Sequence, residues 1–145
     1  LMDVMRMADL VIINDGEARM LSGDENLVRA MHALAEETNT RTLIVKRGEH
    51  GVLALHEGAL LALPAVPTAH VVDPTGCGDT FAGALAAHLA SGSGPLSLDE
   101  LRTGLMMATV MASFTLEAFG TTALRGLEGP SFDQRMADYR SMLGL

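Results

Sequence analysis

The chain has 145 residues, 48% of them hydrophobic, and a formal net charge of −8, which suits one domain with a real core rather than a disordered tail or a repeat array. The acidic balance argues against nucleic acid as a partner, because binding a phosphate backbone needs a basic face. The single cysteine, Cys77, rules out an internal disulfide, and the lack of a long apolar run or a cleavable leader leads us to expect no membrane partner and a reducing cytoplasm.

Residues 1–9 read as a short helix leading straight into a strand, so the chain is expected to begin in mid-architecture. Leu10-Val11-Ile12-Ile13 is a continuous apolar run, the pattern of a strand covered on both faces, and Asn14-Asp15-Gly16 reads as the turn that ends it. Residues 17–21 fit a brief helix stopped by Ser22 and Gly23, after which Leu27, Ala30, Met31, Leu34 and Ala35 recur at helical spacing. Thr42-Leu43-Ile44-Val45 is a second buried strand, ended by Lys46-Arg47-Gly48. Residues 52–55 and 60–63 flank His56-Glu57-Gly58-Ala59 as a hairpin, so parallel and antiparallel pairs are both implied.

From Asp79 onward the pattern turns helical. An Ala-rich helix is expected over residues 80–90, a Ser/Gly/Pro loop over 91–95, and a long helix over 97–117 opened by the capping-box pair Ser97 and Glu100. Ser131 and Gln134 repeat that signature ahead of Met136, Tyr139 and Leu143. The order is strands first and helices after, and a core that must be built from Ala, Leu, Val and Met, because aromatics make up only 3%, favours α/β layers with close helix packing.

The richest chemistry lies between these halves, in Asp73-Pro74-Thr75-Gly76-Cys77-Gly78-Asp79. Gly76 and Gly78 permit backbone angles that turn successive N–H groups inward as a nest, and the positive end of the following helix favours phosphate oxygens. Asp79 places a carboxylate in that positive spot, where helix capping alone also explains it. The P-loop pattern Gly-x-x-x-x-Gly-Lys-Ser/Thr is absent, as is a Gly-x-Gly-x-x-Gly opening a helix after a strand, which excludes two rival nucleotide sites.

With its flanks, Asp-Pro-Thr-Gly-x-Gly-Asp-Thr-Phe-x-Gly-Ala-Leu over residues 73–85 resembles the C-terminal signature of the PfkB, or ribokinase-like, carbohydrate kinases. The resemblance implies a ribokinase-like layered sheet with flanking helices, truncated to the C-terminal nucleotide-binding part, which residues 1–145 would form without the substrate and lid half. It implies transfer of the γ-phosphoryl group of ATP to a hydroxyl of a sugar, or of a nucleoside. Asp79 would be the general base, and the N–H groups of Gly76, Cys77 and Gly78 the anion hole. That division suits a reaction that needs alignment and charge stabilisation more than covalent help. Cys77 stands where the family usually has a small residue such as Ala; a thiol at a helix start can have a lowered pKa, although a plain small-residue substitute is the simpler reading.

Two further segments resemble the same family, in the right order. Asn14-Asp15-Gly16-Glu17 matches its Asn-x-x-Glu motif, implying that Asn14 lies near the nucleotide phosphates and Glu17 organises water around Mg²⁺; a turn before a helix start explains the same residues. Val45-Lys46-Arg47-Gly48-Glu49-His50-Gly51 resembles its nucleotide-contacting loop, making Lys46, Gly48 and Gly51 candidates for ATP, although Lys-Arg at a strand end is commonly just solvated. Asp73 and Thr75 match residues that hold a monovalent cation such as K⁺ in several members, and turn chemistry beside Pro74 explains Asp73 equally well. Thr109 stands where the family commonly carries an Asn beside the adenine. A sheet cut short would expose an edge, so a homo-oligomer is expected. The alternative function is an inactive nucleotide-binding or structural fragment.

Overall fold

In the computed structural model, which describes residues 1–145, helix α1 is confined to Met2–Met5 and strand β1 runs over Leu10–Asn14. Helix α2 (Asp15–Ser22) starts where the strand stops, so the turn expected over residues 14–16 is replaced by a helix start. Asn14 is the reason: its side chain accepts the Glu17 N–H at 2.8 Å while the Glu17 carboxylate accepts the Asn14 N–H at 2.7 Å. This reciprocal capping box satisfies two donors that a helix start would otherwise leave open. Gly23, at φ 70°, ends α2 in the left-handed region. Helix α3 (Leu27–Thr38) follows and buries Leu27, Ala30, Met31 and Leu34, the face read from their spacing.

Strands β2 (Thr42–Lys46), β3 (Val52–His56) and β4 (Ala59–Leu63) complete a sheet of order β1-β2-β3-β4, parallel in its first pair and antiparallel in the other two. β2 and β3 are buried almost throughout, as their uninterrupted apolar runs require, whereas β4 alternates. The β3–β4 turn is Glu57 and Gly58, at φ 48° and 86°. Two successive left-handed residues match the twist of the flanking strands. Val11, Ile13, Met31, Leu34, Leu43 and Val45 stand at the centre of the core of this unit, Leu1–Pro64.

The second unit, Ala65–Leu145, opens with residues 65–76 in no regular structure. Helices α4 (Cys77–Ser91), α5 (Leu98–Thr115), α6 (Thr122–Arg125) and α7 (Gly129–Met142) follow. Ser97 caps α5 as expected, its hydroxyl accepting the Glu100 N–H at 3.1 Å. α7 departs from expectation: it begins at Gly129, ahead of Ser131, with Glu128 as its first cap residue and Pro130 in its first turn. Proline is pre-set for that position and has no N–H to satisfy, so the helix starts without the Ser131–Gln134 box. Gln134 bonds Asp138 instead, at 2.9 Å. No helix is long and apolar enough to cross a membrane.

α4 and α5 meet at Gly104, where a Cβ would lie 2.7 Å from His88 Cδ2 and 2.8 Å from Leu85 Cδ1. Leu85 is buried and has little room to retreat. Overpacking costs about 1–3 kcal/mol, against about 1 kcal/mol returned by the better helix propensity of Ala. Gly104→Ala should therefore destabilise the protein in urea unfolding, although it replaces glycine inside a helix.

Candidate active site

The loop ahead of α4 is built by its own hydrogen bonds. Asp73 Oδ1 accepts the Thr75 N–H at 2.9 Å, and that bond, followed by one from the Thr75 side chain, holds the Asp73 carboxyl below the usual carboxylate range. The Pro74 carbonyl accepts the Cys77 N–H at 3.2 Å. Gly76 then takes φ 85°, ψ −6°, a left-handed conformation open to glycine, and the helix begins at the next residue. α4 therefore starts earlier than the Ala-rich pattern alone indicates. Gly78 lies inside its first turn without a positive φ.

This start determines which donors are available. The Cys77 N–H is taken by Pro74, whereas the N–H groups of Gly76, Gly78 and Asp79 make no hydrogen bond within the protein. Three open donors thus sit at the positive end of α4, where an anion is favoured. The sequence pattern pointed to Gly76, Cys77 and Gly78; the turn moves one of the three open donors on to Asp79. The Asp79 carboxylate is exposed and has no partner in the protein. Cys77 is half-buried, and burial, followed by the nearby Asp73 carboxylate, pushes its thiol up. The thiol is therefore protonated at neutral pH, and the lowered pKa that a helix start can give is not realised.

A single carbonyl fastens the loop from outside. Leu116 O, just past the end of α5, accepts the N–H groups of Val72 at 2.7 Å and Asp73 at 3.3 Å. Beside it, the Thr115 hydroxyl donates to the Thr80 hydroxyl at 2.9 Å, joining the end of α5 to the start of α4.

The other candidates lie in the first unit, at the C-terminal ends of the parallel strands. Asn14 and Lys46 are register partners there, and the capping box brings Glu17 against Asn14. Ligands of open α/β sheets bind outside the carboxyl ends of such strands. The Lys46 ammonium has no partner in the protein. Gly48 and Gly51 have φ of 55° and 84°, and the turn they frame is closed by Arg47 N–H donating to Gly51 O at 2.8 Å. At Gly51 a Cβ would fall against the carbonyl oxygen of Leu63 and within 2.6 Å of the Pro64 carbonyl carbon. Packing alone thus demands glycine there.

No three His, Cys, Asp or Glu side chains come together to hold a metal ion. A magnesium ion carried by nucleotide phosphates and water needs only one or two carboxylates. Glu17 fits that role, because the capping box uses only Oε2. Thr109 is a buried helix residue whose hydroxyl donates to Leu105 O at 2.8 Å. Tyr139 bonds to it, and burial pushes the Tyr139 hydroxyl up to about 12. Sequence reasoning missed Leu116, whose contribution is a backbone carbonyl and leaves no residue-type signal.

Comparison with known proteins places this chain in a family. The pattern described as pfkB family carbohydrate kinase matches residues 1–125. The chain is 34% identical over 148 residues to the bifunctional protein HldE of Pseudomonas aeruginosa strain LESB58, covering 98% of this chain and 30% of that protein. A fructokinase of Salmonella thompson is 31% identical over 121 residues, 83% of this chain and 54% of its own length. A cytidine kinase of Thermococcus kodakarensis is 34% identical over 110 residues, 74% of this chain and 38% of its own length.

Among solved structures, a fructokinase double mutant of Vibrio cholerae with fructose, ADP and potassium has a TM-score of 0.83 at 20% identity, over 93% of this chain and 43% of that one. Aminoimidazole riboside kinase of Salmonella enterica, with aminoimidazole riboside and an ATP analogue, has a TM-score of 0.80 at 24% identity, over 93% and 44%. The chain spans less than two thirds of each of these relatives. The α/β fold expected from the sequence is the one these kinases share, and the chain belongs to the pfkB family of carbohydrate kinases.

Proposed function

We propose that residues 1–145 form the nucleotide-binding and base-bearing part of an ATP-dependent kinase that phosphorylates a hydroxyl group of a sugar. The observation that carries this reading is the unpartnered Asp79 carboxylate beside the open N–H groups of Gly76, Gly78 and Asp79. Asp79 accepts the proton of the acceptor hydroxyl as its oxygen attacks the γ-phosphorus. The three N–H groups hydrogen-bond the charge that develops on the transferred phosphoryl, and because the helix fixes them beforehand they need no reorganisation during the reaction. Glu17, whose capping bond uses only Oε2, would hold the water shell of a nucleotide-bound Mg²⁺, an ion that would supply neutralisation of phosphate charge. Lys46 supplies a point charge for phosphate from the strand end it shares with Asn14. A monovalent cation would bind alongside the Asp73–Thr75 pair.

A nucleoside is the second substrate class, favoured by the cytidine kinase and the aminoimidazole riboside kinase among the relatives; both classes present an alcohol to the same base. The test is ADP release by the full-length gene product with panels of sugars and nucleosides. Release stimulated by one acceptor and accompanied by its phosphate ester supports the reading. ATP binding without turnover on any acceptor would favour a nucleotide-binding protein that has lost its chemistry.

A further inference from the structure

Arg135 of α7 lies outside residues 1–125, which match the family pattern, yet its side chain grips the end of α5 three ways. Its guanidinium carbon stands 3.6 Å from the centre of the Phe114 ring. Nη1 donates to Ser113 Oγ at 3.1 Å and Nη2 pairs with Glu117 Oε1 at 2.8 Å. Ser113 is itself buried and donates to Val110 O at 2.6 Å. Arg135 and Glu117 are each only about a quarter exposed, at 25% and 29%, so this contact is screened less than a surface ion pair. A planar guanidinium can pair, donate and stack at once, which an ammonium cannot.

The residues between those it grips, Thr115 and Leu116, are the ones that hold the loop. Apart from the turn into α4, the only hydrogen bonds tying residues 65–76 to another element are those of Val72 and Asp73 to Leu116 O. Thr115 holds Thr80, the residue after Asp79. One side chain from α7 thus contacts residues on both sides of Thr115 and Leu116.

We infer that Arg135 is a positioning residue: through Ser113, Phe114 and Glu117 it holds the Leu116 carbonyl and the Thr115 hydroxyl where they align Asp79 and the N–H groups beside it. This rests on the proposed role of Asp79. Displacing reacting groups by about 1 Å can cost about 100-fold in rate, so a clamp remote from the chemistry can govern turnover.

The experiment uses the full-length gene product with Arg135→Ala, Arg135→Lys and the milder Glu117→Gln, alone and combined with Asp79→Asn. Arg135→Ala should lower kcat per folded enzyme about tenfold or more with a small change in KM for ATP, and Arg135→Lys should recover part of it. In the Asp79→Asn background the further loss should shrink, because both changes act on one proton transfer. Hydrogen exchange of peptides spanning Val72 and Asp73 should quicken, and peptides from β2 should not change. If Arg135→Ala does not fold, Glu117→Gln carries the same readouts.

Normal kcat per folded enzyme, unchanged exchange at residues 72–73, or a loss that adds fully to that of Asp79→Asn would each overturn the inference while leaving the base assignment standing. Turnover unaffected by Asp79→Asn would instead remove the base assignment, and the positioning role with it.

Discussion

Asp79→Asn should lower acceptor-dependent ADP release about 10²–10⁴-fold while leaving the protein folded. The two effects separate because Asp79 has no partner within the protein. Asn has nearly the same shape, so the stability at risk is only the interaction of a negative charge with the first turn of α4, about 0.3–1 kcal/mol. Nucleotide affinity should hold or rise, since the change removes a negative charge from beside the phosphates. The combination of slow turnover, undiminished ATP binding and a nearly unchanged urea midpoint distinguishes a base from a binding or structural residue. ATP affinity lost together with rate would assign Asp79 to the architecture of the phosphate site, and unchanged kcat would remove it from the chemistry.

Gly51→Ala should give the largest loss of stability among single-methyl additions to the strand unit. Its φ of 84° and ψ of −139° lie where non-glycine residues are strained by about 1–3 kcal/mol. The new methyl would also collide with backbone, at Leu63 and Pro64, rather than with a side chain that could swing away. Relief requires the end of β4 to shift against β3, with which it pairs through Val52↔Leu63. A loss of at least about 3 kcal/mol is expected in urea unfolding, with much of the variant insoluble. A cost below about 1 kcal/mol would show that residues 63–64 can yield.

These two positions illustrate how far the sequence could be read. Both drew attention as family motif residues, but Asp79 keeps a free functional group whereas Gly51 is explained by packing before any ligand is invoked. The strands were legible because continuous apolar runs and the Glu57-Gly58 turn leave few alternatives. The start of α4 was not, since Cys77 and Gly78 have weak helix propensity and the turn at Gly76 decides the boundary. Asn14 and Glu17 fit a motif or a turn equally well in sequence, and the capping box they form is available in the Asn-x-x-Glu spacing itself. Ser131 and Gln134 had that kind of spacing too, but Pro130 and Glu128 set the helix start instead. Arg135 carries no local signal: its partners lie some twenty residues earlier on another helix, and only the folded chain brings them together.

The fastening of the loop to Leu116 has an evolutionary consequence. It runs through main-chain atoms, while the side chains of Val71 and Val72 face solvent, 62% and 48% exposed. Nearly any residue can occupy those two positions without touching the bond, and proline at position 72, lacking the N–H, is the exception. Descendants of one ancestor could therefore diverge at both positions and still hold the loop at the same height, inheriting a shape with no letter of the sequence to mark it.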